Sequence, residues 1–224
     1  MSDFSKKLIL KLVENADSEN VFFMEKYMKN QFRFLGIKQD TRRKIFNNFI
    51  KEYGLPDKAH FETLIKELFG NDFRESQYCG MELMKKMKKY WDVKSIDLIE
   101  YLILEKSWWD TVDFISVHLA GAYFQMFPKE IPLRIERWMN SGNRWLQRAA
   151  ILYQLKYKEQ TQVSLLLKCV SDLASSKEFF IRKACGWALR ELSKTNPQVV
   201  KEFILSHNLS GLTRREASKY IEGL

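Results

Sequence analysis

Residues 107–113 read SWWDTVD, two adjacent tryptophans and two carboxylates within seven positions. Ser107 and Asp110 have the S-x-x-D spacing of a capping box, which satisfies the free amides at a helix start. Asp110 is therefore read as a helix-start residue, and Trp108, in the first turn, as core. Asp113 lies too deep to cap, because the helix dipole acts within the first turn. It follows Trp109 by four residues, so on a helix the two side chains share a face. An indole beside a carboxylate stabilises positive charge, by cation–π attraction and by direct Coulomb attraction. The alternative is a surface aspartate held in an ion pair with Arg148.

The elements that must position these residues are helices. Only 4 Pro and 9 Gly occur in 224 residues, and 46% of the chain is hydrophobic and 14% aromatic. No stretch alternates as a strand would, whereas apolar residues recur at helical spacing almost throughout. Residues 66–86, 143–158 and 179–192 all read as helix. GLPDK at 54–58 breaks one helix pair, and Asn196-Pro197 sets a cap residue before a first-turn proline. Ser175 with Glu178, and Thr213 with Glu216, have capping-box spacing.

Three segments align without gaps: ESQYCGMEL (75–83), QRAAILYQL (147–155) and RKACGWALR (182–190). Cys79 and Gly80, Ala149 and Ala150, and Ala184, Cys185 and Gly186 place small residues where helices would press together. One column holds Gln77, Arg148 and Lys183, and Asp113 joins it if SWWDTVDF opens the intervening unit. The intervals are then 36, 35 and 35 residues. Such a period predicts an all-α chain, an α-solenoid of about five to six HEAT-like two-helix repeats with a concave basic groove, forming one domain over 1–224. Stacking makes Asp113, Arg148 and Lys183 neighbours. Trp187, four residues after Lys183, faces the same groove or packs in the core beside Gly186.

Charge narrows the partner. There are 37 Lys and Arg against 28 Asp and Glu, a net charge of +9. That excess favours nucleic acid first and an anionic membrane second. Cys79, Cys169 and Cys185 are far apart and in no CxxC pair, which fits a reducing, cytoplasmic location and argues against a zinc site. The N-terminal MSDFSKKLILKLVENA reads as an amphipathic helix and not a signal peptide, and no run is long enough to span a membrane. His60, His118 and His207 show no ligand spacing, so neither metal nor cofactor is expected.

A basic groove with a cation-stabilising pocket suits a cationic lesion in DNA. Alkylation of a purine at N3 or N7 charges the base and weakens its glycosidic bond. Cleavage expels a neutral base and leaves an oxocarbenium-like sugar. The leaving group needs no general acid. One carboxylate suffices to stabilise the sugar cation and orient water.

The sequence resembles the AlkD family of bacterial alkylpurine DNA glycosylases over roughly 20–220. The resemblance rests on YMKNQFRFLGI (27–37), KSWWDTVD (106–113), WLQRAAILYQLKYK (145–158), SSKEFFIRKACGWALRE (175–191) and TNP (195–197). It implies excision of 3-methyladenine and 7-methylguanine from duplex DNA at the start of base excision repair, without flipping the base into a pocket. It makes Asp113 the catalytic carboxylate and sets Trp109 and Trp187 against the deoxyribose. Arg148 would contact the DNA backbone, and Tyr27 would lie near the DNA. Lys183, Arg43, Arg190 and Lys194 are candidate DNA contacts, with a solvated helix face as the alternative. No lysine stands out as a Schiff-base nucleophile, so the expectation is a monofunctional, monomeric hydrolase. The competing readings are a non-catalytic binder of damaged DNA and a protein-interaction scaffold.

Overall fold

A computed structural model describes residues 1–222. Helices make up its regular structure; among the described residues, the strand-like pairing is an isolated bridge between Arg33 and Phe73. The chain divides into two compact units, Met1–Lys94 and the part beginning at Ser95. A quasi-one-dimensional array, in which each repeat contacts its neighbours, lends itself to such division.

The first unit holds α1 (Asp3–Val13), α2 (Ser18–Tyr27), α3 (Gln39–Tyr53), α4 (Phe61–Gly70) and α5 (Arg74–Lys86). The amphipathic N-terminal segment is α1, with Leu8 and Leu12 buried and Ser2 capping the amide of Ser5. Gly54, at φ 77°, ends α3 inside the GLPDK break. The segment 66–86, expected as one helix, is two. Gly70 closes α4, and the Asn71 side chain accepts from the amide of Phe73 (3.0 Å) to form the turn into α5. Glu75 is fully buried and accepts from the amides of Leu35 and Ile37, tying the 31–37 loop to α5. Within that loop Gly36 has φ 81°, and a Cβ there would fall 1.9 Å from the carbonyl oxygen of Asp17. Only glycine satisfies both the left-handed backbone and the close approach.

The second unit runs α6 (Ser95–Leu104), α7 (Trp109–Phe114), a π-helical turn (Ile115–Ala120), α8 (Gly121–Met126), α9 (Ile131–Asn140), α10 (Arg144–Leu152), α11 (Val163–Asp172), α12 (Phe179–Leu192), α13 (Pro197–Ser206) and α14 (Gly211–Ala217). Alternate helices stack: α7 on α10, α10 on α12, and α12 on α14. The starts of α7, α10 and α12 keep the interval expected from sequence. Small residues permit the stacking. A Cβ on Gly186 would lie 2.5 Å from Cβ of Glu216, and one on Gly121 would lie 2.5 Å from the carbonyl oxygen of Tyr153.

Three expected capping boxes are not formed. Ser107 turns backward, donating to the carbonyls of Ile103 and Leu104 (both 2.8 Å), so it closes α6 and does not open α7. A serine hydroxyl can donate to the last carbonyls of one helix as well as accept from the first amides of the next. Ser210, not Thr213, caps α14, while Thr213 donates to the carbonyl of Arg182. Glu178 sits at the N-cap of α12 without a side-chain cap, and its amide donates to Ser176 Oγ (3.2 Å). Pro197 does occupy the first turn of α13.

Candidate functional site

The site is built on the stacked helices of the second unit. Asp113 lies on α7, two residues before the π turn begins at Ile115. Such bulges retain the helix axis but shift the register beyond them. Tyr157 donates to the carbonyl of Gly121 (2.6 Å), and Ser116 to that of Val112 (2.6 Å), fixing the turn from both ends.

Arg148 rises from α10 to meet Asp113 across the interval of 35 residues that the repeat predicts. Its Nε donates to Oδ1 (2.6 Å) and its Nη2 to Oδ2 (2.9 Å) in a two-point pair. Its Nη1 donates to the carbonyl of Phe180 at the start of α12. The guanidinium lies 5.4 Å from the ring centroid of Trp187. Arg148 is 1% exposed, whereas the Asp113 side chain is 21% exposed. Burial pushes the Asp113 carboxyl above the usual carboxylate range; Arg148 opposes that shift, and Asp110 adds to it.

Tryptophans on α7 and α12 flank this pair. Trp109 is the first residue of α7, a full turn before Asp113, and is half-buried. Trp187 is half-buried on α12, with Arg148 over its ring and Lys183 Nζ 5.7 Å from its centroid. Trp108 is half-buried against Trp145 (5.9 Å) and Phe180 (5.3 Å), and these three rings form the apolar floor beside the Arg148 guanidinium. Two carboxylate oxygens on one guanidinium still leave each oxygen a free lone-pair direction. The cluster can therefore present a fixed, anionic, partly solvated edge beside indole rings.

The sequence model of the DNA alkylation repair enzyme family matches residues 8–221. This chain belongs to that family. A chain described as a predicted DNA alkylation repair enzyme from Enterococcus faecalis is 32% identical to this one, with 92% of this chain and 96% of that one covered at a TM-score of 0.86. AlkD2 from Streptococcus mutans matches at 18% identity over 83% of this chain and 92% of its own, with a TM-score of 0.65. The protein smu.31 from Streptococcus mutans UA159 matches at 18% identity, 81% and 98% coverage and a TM-score of 0.62. At that identity the last two establish the fold, which is the all-helical repeat architecture that the sequence suggests. No functionally curated protein matches.

In this alkylation repair family member the candidate cations are engaged to different degrees. Lys183 donates to Glu216 (2.7 Å), and Arg190 and Lys219 donate to the other Glu216 oxygen (both 2.9 Å). Lys183 foremost, with Lys219, holds the Glu216 carboxyl down at about 2 against the opposing effect of burial. Lys194 pairs with Glu191 (2.6 Å) and lies 5.6 Å from the Tyr220 ring. In the first unit, Arg43 is 47% exposed and shares Glu82 with the buried Arg42. Tyr27 ends α2 and is 69% exposed. Among the described residues no three His, Cys, Asp or Glu side chains gather as a metal would require. None of the described helices is long and apolar enough to cross a membrane.

Arg148, expected at the DNA backbone, lies in this geometry beneath the carboxylate. The guanidinium is 1% exposed, and its nitrogens donate to both Asp113 oxygens and to the carbonyl of Phe180. Its contacts make it the support of the carboxylate. The supporting residues Phe180, Trp145, Tyr157 and Glu216 escape a reading by sequence motif. Glu216 sits 33 residues after Lys183 and so nearly continues the 35-residue column, but its spacing from Thr213 disguises it as a cap.

Proposed function

We propose that this chain is a monofunctional DNA glycosylase that hydrolyses the N-glycosidic bond of N3- and N7-alkylated purines in duplex DNA. The observation that carries the reading is the Asp113–Arg148 pair, with the carboxylate edge open, Trp109 on the helix of Asp113 and Trp187 beside the guanidinium. An alkylated purine already bears the positive charge that makes it a leaving group. The bond breaks with its electron pair on the base, which departs neutral, and the sugar becomes oxocarbenium-like. Asp113 stabilises that cation and orients the attacking water, whose oxygen bonds to the sugar carbon while its proton passes to the carboxylate and on to solvent; Arg148 keeps the carboxylate ionised and aimed. Trp109 and Trp187 offer their electron-rich faces to the deoxyribose. Lys183, Arg190, Lys194, Arg43 and Tyr27 are assigned to the DNA backbone, and no step requires the base to leave the helix.

A non-catalytic binder of damaged DNA would gain nothing from a carboxylate facing phosphates, since the repulsion lowers affinity. The test is single-turnover excision from duplex DNA carrying one 7-methylguanine, with Asp113→Asn beside the parent. The parent is expected to release the base, and the variant to bind the same duplex while losing at least about a hundredfold in rate. Undiminished excision by Asp113→Asn overturns the mechanism, and no excision by the parent overturns the activity.

A further inference from the structure

The cluster around Glu216 is not explained by phosphate binding alone. A carboxylate next to DNA weakens a phosphate grip, yet Glu216 is 4% exposed and takes three cations onto its two oxygens. Its helix is pressed into place: Gly186 on α12 leaves room for Cβ of Glu216, and Thr213 donates to the carbonyl of Arg182 on the same helix. The repeat places Glu216 on the same stacked wall as Asp113, Arg148 and Lys183.

Contacts then run without interruption along that wall. Asp113 holds Arg148, and Arg148 lies over Trp187. Lys183 lies over Trp187 as well, and Glu216 holds Lys183. Trp187 therefore has two cations within 6 Å of its ring centroid, each fastened to a carboxylate. An indole is an attractive partner for a cation but sets no direction along the ring plane by itself. A cation held by a buried carboxylate is a fixed post, and two posts define where the ring lies.

We propose that Glu216 is a positioning residue for Trp187: by anchoring Lys183 it sets the indole's place beside Arg148 and Asp113. The inference rests on the glycosylase reading for its catalytic consequence but not for its structural one. Loss of the Glu216 charge frees Lys183, leaves three cations in mutual repulsion and lets the ring shift. A shift of about 1 Å in a group bordering the reacting sugar is enough to slow the bound-state reaction substantially.

The test uses the full chain labelled with 5-fluorotryptophan, whose Trp187 resonance is assigned by its absence in Trp187→Phe. In Glu216→Gln, the Trp187 resonance is expected to move while those of the other tryptophans stay. Excision from the 7-methylguanine duplex at saturating protein should fall about tenfold, with DNA affinity within about twofold of the parent. Lys219→Gln, which leaves the Lys183–Glu216 bond in place, should change neither. If Glu216→Gln fails to fold, Lys183→Gln serves, because Arg190 and Lys219 still hold the other oxygen of the carboxylate; it should move the same resonance. An unmoved Trp187 resonance, an unchanged rate, or a loss carried by affinity overturns the proposal. Should the parent itself not excise, the glycosylase reading fails, and the resonance alone still decides whether Glu216 positions Trp187.

Discussion

Arg148 grips both oxygens of Asp113, at 2.6 and 2.9 Å, from a helix whose corresponding residue lies one repeat further along the chain. Lysine carries one point charge and cannot reproduce a two-point pair. Arg148→Lys should therefore fold but excise roughly ten- to a hundredfold more slowly. Arg148→Met leaves a half-buried carboxylate without its cation and should cost about 3 kcal/mol of stability. Urea denaturation of the two variants, beside single-turnover rates, separates the effects; a Met variant as stable and active as the parent would contradict them.

The same pair sets the pH response. Asp113 must be ionised to stabilise a sugar cation, and burial has raised its pKa from the usual value of 3.8. Excision, corrected for spontaneous depurination, should therefore rise with pH through a midpoint above 3.8 and then level off. Arg148 opposes the upward shift, so Arg148→Lys should move that midpoint higher still. A midpoint that falls on substitution contradicts the assignment.

Glu216 predicts a stability effect of definite sign. Its folded pKa of about 2 lies below the ordinary 4.5, so its stabilisation is fully present above 4.5 and is lost as the pH falls towards 2. The difference in unfolding free energy between parent and Glu216→Gln should approach about 3 kcal/mol at pH 7. Denaturation curves at pH 7 and near pH 2 should show the gap closing at the acid end.

Two glycines predict opposite signs. A methyl group on Gly121 would strike the backbone carbonyl of Tyr153 at 2.5 Å, whereas nothing lies within 4 Å of one on Gly70. Gly121→Ala should cost at least about 1–3 kcal/mol and slow excision, because the π turn beside Asp113 must move. Gly70→Ala, at the end of α4, should be neutral or stabilising by about 0.5 kcal/mol. Thermal melts of the two variants read the contrast directly.

Salt dependence of duplex binding tests the backbone contacts. Neutralising Lys194 or Arg43 should each reduce the slope of log affinity against log salt by about 0.9 if the side chain displaces a counterion. Arg148→Lys should leave the slope unchanged, because the guanidinium is 1% exposed. A slope altered by Arg148→Lys would restore Arg148 to the DNA backbone.

The residues that could be read from sequence are those governed by the repeat. Asp113 and Arg148 meet because stacked helices bring together positions one period apart, and that period is visible in the small residues of α10 and α12. Local motifs misled where one polar side chain has two uses. Ser107 has the spacing of a cap for α7, yet its hydroxyl finds nearer carbonyls at the end of α6. Glu216 has the spacing of a capping partner for Thr213, but three cations reach it from α12 and from its own end of the chain. Burial of Arg148 depends on how tightly α7, α10 and α12 close around it, which no spacing of residues expresses.

The stacking of α7, α10, α12 and α14 also determines how such a chain tolerates changes in length. A loop lengthened between two stacked helices leaves their mutual register intact at a small cost in closure entropy. A complete extra helix pair inserted between α10 and α12 would be locally well formed and well capped, yet would carry Trp187 one storey away from Arg148. The wall therefore admits variation in its joints and none in its number of courses between Asp113 and Glu216, and a chain of this kind can grow only at its two ends.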